Sequence, residues 1–310
     1  LVAEAANPGF LALHPKKPLV YAACRDFVAA YRYQPDGSLE ELNRVEVGGQ
    51  GACHIEVHPS GRAVATANYG DGSVSVIALE PDGRLRGPAD VTRHQGSSAH
   101  PQRQRGPHAH GVHYRGNRLL VPDLGVDRLY AYRHDPAAGI APVPDPAATT
   151  DTRPGDGPRH LAYHPDGRHA FVIHELSNVM EAFRLGDERL QSIARVSTLP
   201  DDWEGANTTA EVAVHPDGRW VFGSNRGHDS IAVFRFDGES LERRAVVPCG
   251  VKTPRHFTLD PSGRWILAAG QSSNDIRALR FNPDTGELSP PGKRVEAASP
   301  ICLLFLPEAP

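Results

Sequence analysis

The sequence predicts an all-β fold, a seven-bladed β-propeller, and three observations predict it. One phrase recurs along the 310 residues: His58-Pro59-Ser60-Gly61-Arg62, His164-Pro165-Asp166-Gly167-Arg168, His215-Pro216-Asp217-Gly218-Arg219 and Asp260-Pro261-Ser262-Gly263-Arg264. Each copy separates two short alternating apolar stretches, such as Ile55-Glu56-Val57 before one turn and Trp220-Val221-Phe222-Gly223 after another. Aligned on the residue that opens each repeat, the copies begin at Pro8, Ala52, Pro107, Pro158, Thr209, Pro254 and Pro300. They are spaced 44, 55, 51, 51, 45 and 46 residues apart, the length of a four-stranded blade.

Within each repeat the elements follow in order. The Pro-x-Gly turn presets one backbone angle with Pro and accepts a left-handed residue with Gly. It therefore joins a first and a second strand of period 2. Third strands are expected over 74–79, 129–133, 179–183, 231–236 and 276–281, each followed by a second turn and a weaker fourth strand. The seventh copy supplies one strand, 300–305, with only seven residues ahead of Pro8 to partner it. The closing blade is therefore expected to be incomplete, with N-terminal strands missing. The whole of 1–310 is read as one propeller domain.

Composition narrows the class. Thirty-nine per cent hydrophobic and 23 per cent charged residues suit a soluble globular chain. No run approaches the roughly 20 apolar residues that span a bilayer. A net charge of −4 gives no bulk attraction for nucleic acid. Cys24, Cys53, Cys249 and Cys302 form no CxxC pair, so a zinc ribbon is disfavoured and reduced thiols in a cytoplasmic protein are expected.

Register then predicts a site. The residue after each repeat-opening position reads Gly9, Cys53, His108, Arg159, Ala210, Arg255, Ile301, and the next reads Phe10, His54, Ala109, His160, Glu211, His256, Cys302. These innermost-strand starts hold more His and Arg than a core strand would. The second strands end at Cys24-Arg25, Asn68-Tyr69, Asp123-Leu124, His174-Glu175, Asn225-Arg226 and Gly270-Gln271, and a hairpin returns them to the same face. His108, Arg159, Glu175 and Arg226 are expected to converge there. A base to activate water, and cations for an oxyanion or a bound anion, make ester hydrolysis chemically sensible at such a cluster. His110, His160, Asn68, Tyr69, Asn225, Arg255 and His256 are expected to line the same mouth as substrate-binding residues.

Other residues read as structural. His14, His58, His164 and His215 belong to the repeated turn, and Arg62, Arg168, Arg219 and Arg264 follow it. His54, His160 and His256 recur in register, which favours a shared hydrogen-bonding role in the channel. His113 and His134 read as surface residues. No carboxylate–His pair has recognisable metal-ligand spacing, so no metal and no cofactor are expected.

The motifs resemble a known family. Gly106-Pro107-His108-Ala109-His110 with Val121-Pro122-Asp123-Leu124-Gly125-Val126-Asp127, Gly157-Pro158-Arg159-His160 with His174-Glu175-Leu176, Ser224-Asn225-Arg226-Gly227-His228-Asp229-Ser230, Asn68-Tyr69, and Pro254-Arg255-His256-Phe257 are similar to signatures of the seven-bladed propeller lactonases. That family includes 6-phosphogluconolactonases and carboxymuconate lactonizing enzymes. The resemblance implies metal-independent lactone chemistry by His108, Arg159, Glu175 and Arg226. Its small-molecule partner would be an anionic sugar lactone or a carboxylated one, without nucleic acid or membrane, in a monomer or weak homo-oligomer. A cycloisomerase and a non-catalytic binding platform are the alternatives. His174 and Gly270 depart from the family, which usually has Asn at the first position and often at the second.

Overall fold

The computed structural model describes residues 6–186 and 188–307, and the regular elements among them are all β-strands. The chain divides into two compact units, Leu1–Gly155 with Leu306–Pro310, and Asp156–Phe305. Each contributes three antiparallel sheets of the blade type.

In the first unit, blade 1 runs β1 (Pro8–Leu13), β2 (Leu19–Cys24), β3 (Phe27–Tyr33), β4 (Leu39–Glu46). Blade 2 runs β5 (Ala52–Val57), β6 (Ala63–Asn68), β7 (Ser73–Leu79), β8 (Leu85–Arg93). Blade 3 runs β9 (His113–Arg115), β10 (Arg118–Asp123), β11 (Arg128–Asp135), β12 (Ile140–Pro144), with β13 (Thr150–Asp151) also paired to β11. In the second unit, blade 4 runs β14 (Pro158–Tyr163), β15 (His169–His174), β16 (Val179–Arg184), β17 (Gln191–Ser197). Blade 5 runs β18 (Thr208–Val214), β19 (Trp220–Arg226), β20 (Ser230–Phe236), β21 (Leu241–Pro248). Blade 6 runs β22 (Pro254–Leu259), β23 (Trp265–Gly270), β24 (Asp275–Asn282), β25 (Glu287–Leu288), with β26 (Arg294–Glu296) also paired to β24.

The recurring turn also joins neighbouring blades. His164 accepts the N–H of Asp166 on Nδ1 at 3.1 Å and donates Nε2–H to the carbonyl of Gly218, in the next blade's turn, at 2.8 Å. His215 does the same with Asp217 at 3.2 Å and Gly263 at 3.1 Å, and His14 with Lys16 at 3.0 Å and Gly61 at 3.2 Å. One tautomer satisfies both bonds each time. The receiving glycines have φ of +70° to +76°, and a Cβ on any of them would meet the histidine ring. Apolar faces fill the rest of the blade contacts: Phe222, Ile231, Phe257, Ile266 and Phe281 pack between blades 5 and 6, and Leu19, Tyr21, Val28, Ile55 and Ile77 between blades 1 and 2.

Four expectations are corrected. The first strand of blade 3 starts at His113 rather than just after Pro107; a single bridge from Ala109 to Asp123 replaces its opening pairs, because the Asp123 carboxylate takes the N–H of His108. Residues 301–305 form no strand among the described residues, although Leu303 N–H donates to His256 Nδ1 at 3.2 Å. Residues 1–5 lie outside the described ones, and with them most of the segment expected to bear on the closing blade. Neither His113 nor His134 is a surface residue. His134 is 3% exposed with Nδ1 2.7 Å from the Tyr114 hydroxyl, and burial pushes its pKa down to about 4.

Replacing His215 by Ala removes a ring that satisfies its own turn and the next blade's carbonyl. Urea titration is expected to show a loss of about 1–3 kcal/mol. Arg219→Ala, which removes exposed ion pairs with Asp217 and Asp284, is expected to stay within about 0.5 kcal/mol.

Candidate active site

The innermost strands share an irregularity that determines which side chains face inward. Pairing of the first and second strands slips between Pro8 and Phe10, Ala52 and His54, Pro158 and His160, Thr209 and Val212, and Pro254 and His256. A bulge there breaks the strict alternation, so two successive residues can be turned to one side. This is why Arg159 and His160 both belong to one buried polar cluster.

In the second unit that cluster centres on Glu175, which is 3% exposed. Its Oε2 accepts Arg159 Nε at 3.1 Å and Arg226 Nη2 at 2.7 Å. Arg159, 2% exposed, donates Nη1 to the carbonyl of Ala210 at 2.8 Å, and Arg226 donates Nη2 to the carbonyl of Thr209 at 2.6 Å. Burial, with the charges of Arg255 and Arg226 nearby, pushes the Arg159 pKa down to about 9, so it stays charged at neutral pH. Beneath it, Glu211 lies 3.1 Å from His160 Nδ1 and 3.7 Å from His256 Nε2. Burial holds the His256 pKa below its ordinary value, partly offset by Glu211. Half-buried Arg255 stands apart: no hydrogen bond or ion pair among the described residues engages its guanidinium.

In the first unit His108 is half-buried and stacks on Tyr69, ring centroids 4.4 Å apart. Its Nδ1 donates to the Tyr69 carbonyl at 2.7 Å, so Nε2 presents its lone pair. Asp123 anchors the backbone beneath: Oδ1 accepts the N–H of His108 at 2.7 Å and of Gly125 at 2.9 Å, while Oδ2 takes His94 Nδ1 at 2.6 Å. His94 in turn accepts the Tyr132 hydroxyl at 2.7 Å. His110 is buried beside Tyr69 and Cys53.

The second-strand ends alternate as strands do. In blades 2 and 5 the first residue of the pair is turned into the protein and the second is less buried. Asn68 and Asn225, expected to bind substrate, are therefore fully buried and spent internally. Asn68 Nδ2 donates to Ser73 and Ser75 at 2.9 and 2.7 Å; Asn225 Nδ2 donates to the Thr198 carbonyl and to Ser230 at 2.8 and 3.1 Å. His160 and His256 likewise spend ring nitrogens on the protein, which fits the hydrogen-bonding role read from their register. Sequence reasoning overlooked Glu211 and Asp123 as site residues; Glu211 occupies the same register as His160 and His256, which was the available signal.

Two groups of carboxylates and imidazoles lie close enough to hold a cation: Asp156, His174, Glu181, and His164, Asp166, His169. Arg195 already supplies the positive charge in the first, bonded to both Asp156 and Glu181. In the second, His164 has both ring nitrogens engaged by turns. Neither set suits a metal.

Burial raises the carboxyls of Asp156 and Glu181, but the bonds of Arg195 to both, the bond of His174 to Glu181 and the nearness of His174 to Asp156 outweigh it and hold both below the usual range. Depressed carboxylate pKa values stabilise the fold above the unfolded value, and that stability is lost as pH falls through the folded ones. The urea midpoint is expected to drop as pH falls below about 4, and to drop less steeply in Glu181→Gln.

Comparison with known proteins gives the family. The family model described as "Lactonase, 7-bladed beta-propeller" matches residues 1–305, and the chain belongs to that family. The chain is 33% identical to a 6-phosphogluconolactonase of Bacillus subtilis over 99% of its own length and 89% of the relative's. A Lactobacillus plantarum structure superposes with a TM-score of 0.92 at 28% identity, covering 99% of this chain and 90% of that one. The Pseudomonas aeruginosa periplasmic gluconolactonase superposes with a TM-score of 0.90 at 30% identity, covering 96% and 88%. No described helix is long and apolar enough to cross a membrane.

Proposed function

We propose that this member of the propeller lactonases hydrolyses an anionic sugar lactone, 6-phosphoglucono-1,5-lactone, to the open acid. Water adds to the ring carbonyl carbon, the bond from that carbon to the ring oxygen breaks, and the ring oxygen leaves with a proton. The products are a carboxylate, a hydroxyl group and one proton released to solvent.

The observation that carries this reading is the excess of guanidinium over carboxylate around Glu175. Arg159 and Arg226 share one carboxylate oxygen, and Arg255 makes no ion pair among the described residues. Preorganised cations of this kind stabilise an oxyanion as it forms and can bind a phosphate bidentately. In this reading Arg159 and Arg226 serve the oxyanion, Arg255 the phosphate, and Glu175 keeps the pair in place and shares the proton work. His108 accepts the proton of the attacking water on Nε2. Its assignment rests on its motif and on the tautomer imposed by the Tyr69 carbonyl. Tyr69 and His110 flank His108 and complete the binding role given to them. The four thiols form no disulfide, which supports a cytoplasmic setting, and the family match over 1–305 supports one functional domain.

The test is hydrolysis of freshly made lactone, read as the excess over spontaneous opening. Arg159→Ala and His108→Ala are each expected to lower turnover by roughly 100-fold or more, with the fold retained. His215→Ala should lower stability but leave turnover per folded molecule intact. The phosphorylated lactone should exceed glucono-1,5-lactone in kcat/KM by roughly tenfold or more, and Arg255→Ala should erase that preference. Full activity in both His108→Ala and Arg159→Ala would remove the proposed chemistry and leave a binding platform.

A further inference from the structure

Blade 4 is built differently from blades 2 and 5 at the inner end of its second strand. Those blades hold a neutral Asn there, satisfied by hydroxyls and a carbonyl. Blade 4 holds His174, fully buried, with Nε2 2.8 Å from Glu181 Oε2. Its Nδ1 has no hydrogen-bond partner among the described residues and lies 4.0 Å from Asp156 Oδ2. Arg195 reaches in from β17, the outermost strand, and bridges the two carboxylates, with Nη2 2.7 Å from Asp156 Oδ1 and Nη1 on Glu181 Oε2. Ser192 donates its hydroxyl to Glu181 Oε1. Burying two carboxylates and a guanidinium costs more desolvation than the neutral amide solution used in the sister blades.

The network ends on the backbone that carries Glu175. The N–H of Glu175 donates to the Gly157 carbonyl at 2.7 Å, and those of Leu176 and Ser177 donate to the Asp156 carbonyl at 3.0 and 3.2 Å. Thr209 donates its hydroxyl to the His174 carbonyl at 2.8 Å. Asp156 and His174 thus clasp Glu175 from two sides through the main chain, while Arg195 and Glu181 restrain their side chains from behind. The network reaches the site through the main chain on either side of Glu175.

We propose that Arg195, acting through Asp156, Glu181 and His174, is a positioning residue for Glu175. It holds the carboxylate where Arg159 and Arg226 share one oxygen. The inference rests on the reading that Glu175 takes part in lactone opening. It adds that the geometry of this carboxylate is set from the far edge of the blade.

The experiment compares Arg195→Met, Arg195→Lys and Glu175→Gln in the full chain, with kcat normalised to folded protein and Arg219→Ala as control. Displacing a reacting constellation by an ångström can cost about 100-fold, so a partial loosening by Arg195→Met is expected to lower kcat by about tenfold or more. KM should stay within about twofold, because Arg255 is untouched. Lysine keeps the charge but not the fork that spans both carboxylates, so Arg195→Lys should recover part of kcat, and it remains readable if the Met variant does not fold. A lowered melting temperature with wild-type kcat per folded molecule in the Arg195 variants would make the network purely structural and overturn the proposal. If Glu175→Gln loses activity in that case, the hydrolytic reading stands alone. If Glu175→Gln retains full activity, the role of Glu175 and the positioning proposal fall together.

Discussion

The contact on which the arrangement depends is a histidine ring lying on a glycine of the next turn. His164 on Gly218 and His215 on Gly263 set the spacing between successive blades in the second unit, and His14 on Gly61 does so in the first. Each ring is fixed at both nitrogens, and each glycine leaves room for it only because it has no side chain and a left-handed backbone. With the turns held at one end, the innermost strands start beside one another at the other. Arg159 can then reach the Ala210 carbonyl and Arg226 the carboxylate of Glu175 without any flexible loop in between. A site assembled from several blades is only as precise as their spacing.

The sequence made the repeat legible because turn chemistry is local. Pro-Asp-Gly identifies itself in three residues, and the apolar alternation on either side supplies the strands. The grouping of Arg159, Glu175 and Arg226 was legible for a related reason: once copies are aligned, equal positions share a level of the fold. What alignment could not reveal was direction. Asn68 and Asn225 occupy the right level but are turned into the protein and bonded there, since neighbouring residues on a strand face opposite sides. Arg159 and His160 break that rule because of the bulge, and a bulge leaves no mark in composition. His134 shows the same limit: a histidine outside the repeated motif looks superficial until Tyr114 is seen closing over it.

The second unit holds two kinds of buried polarity. Glu211 with His160 and His256 extends the innermost strands, whereas Asp156, His174, Glu181 and Arg195 sit within blade 4 itself. Both sets are satisfied largely by partners from adjacent strands, so each registers small shifts in strand pairing. Apolar packing between blades 5 and 6, dominated by phenylalanines, tolerates such shifts better because dispersion is not directional.

Arg255, without an ion pair among the described residues, bears on the end of the proposed reaction. A lactone that opens gains a carboxylate, so the product carries one more negative charge than the molecule that entered. In that reaction, cations placed to stabilise a developing oxyanion would also hold the acid it becomes. The chain as a whole carries a net charge of −4, so positive charge in the cluster is local, set within a molecule that repels anions at longer range. Attraction close in and repulsion farther out would speed the acid away once it has cleared the arginines.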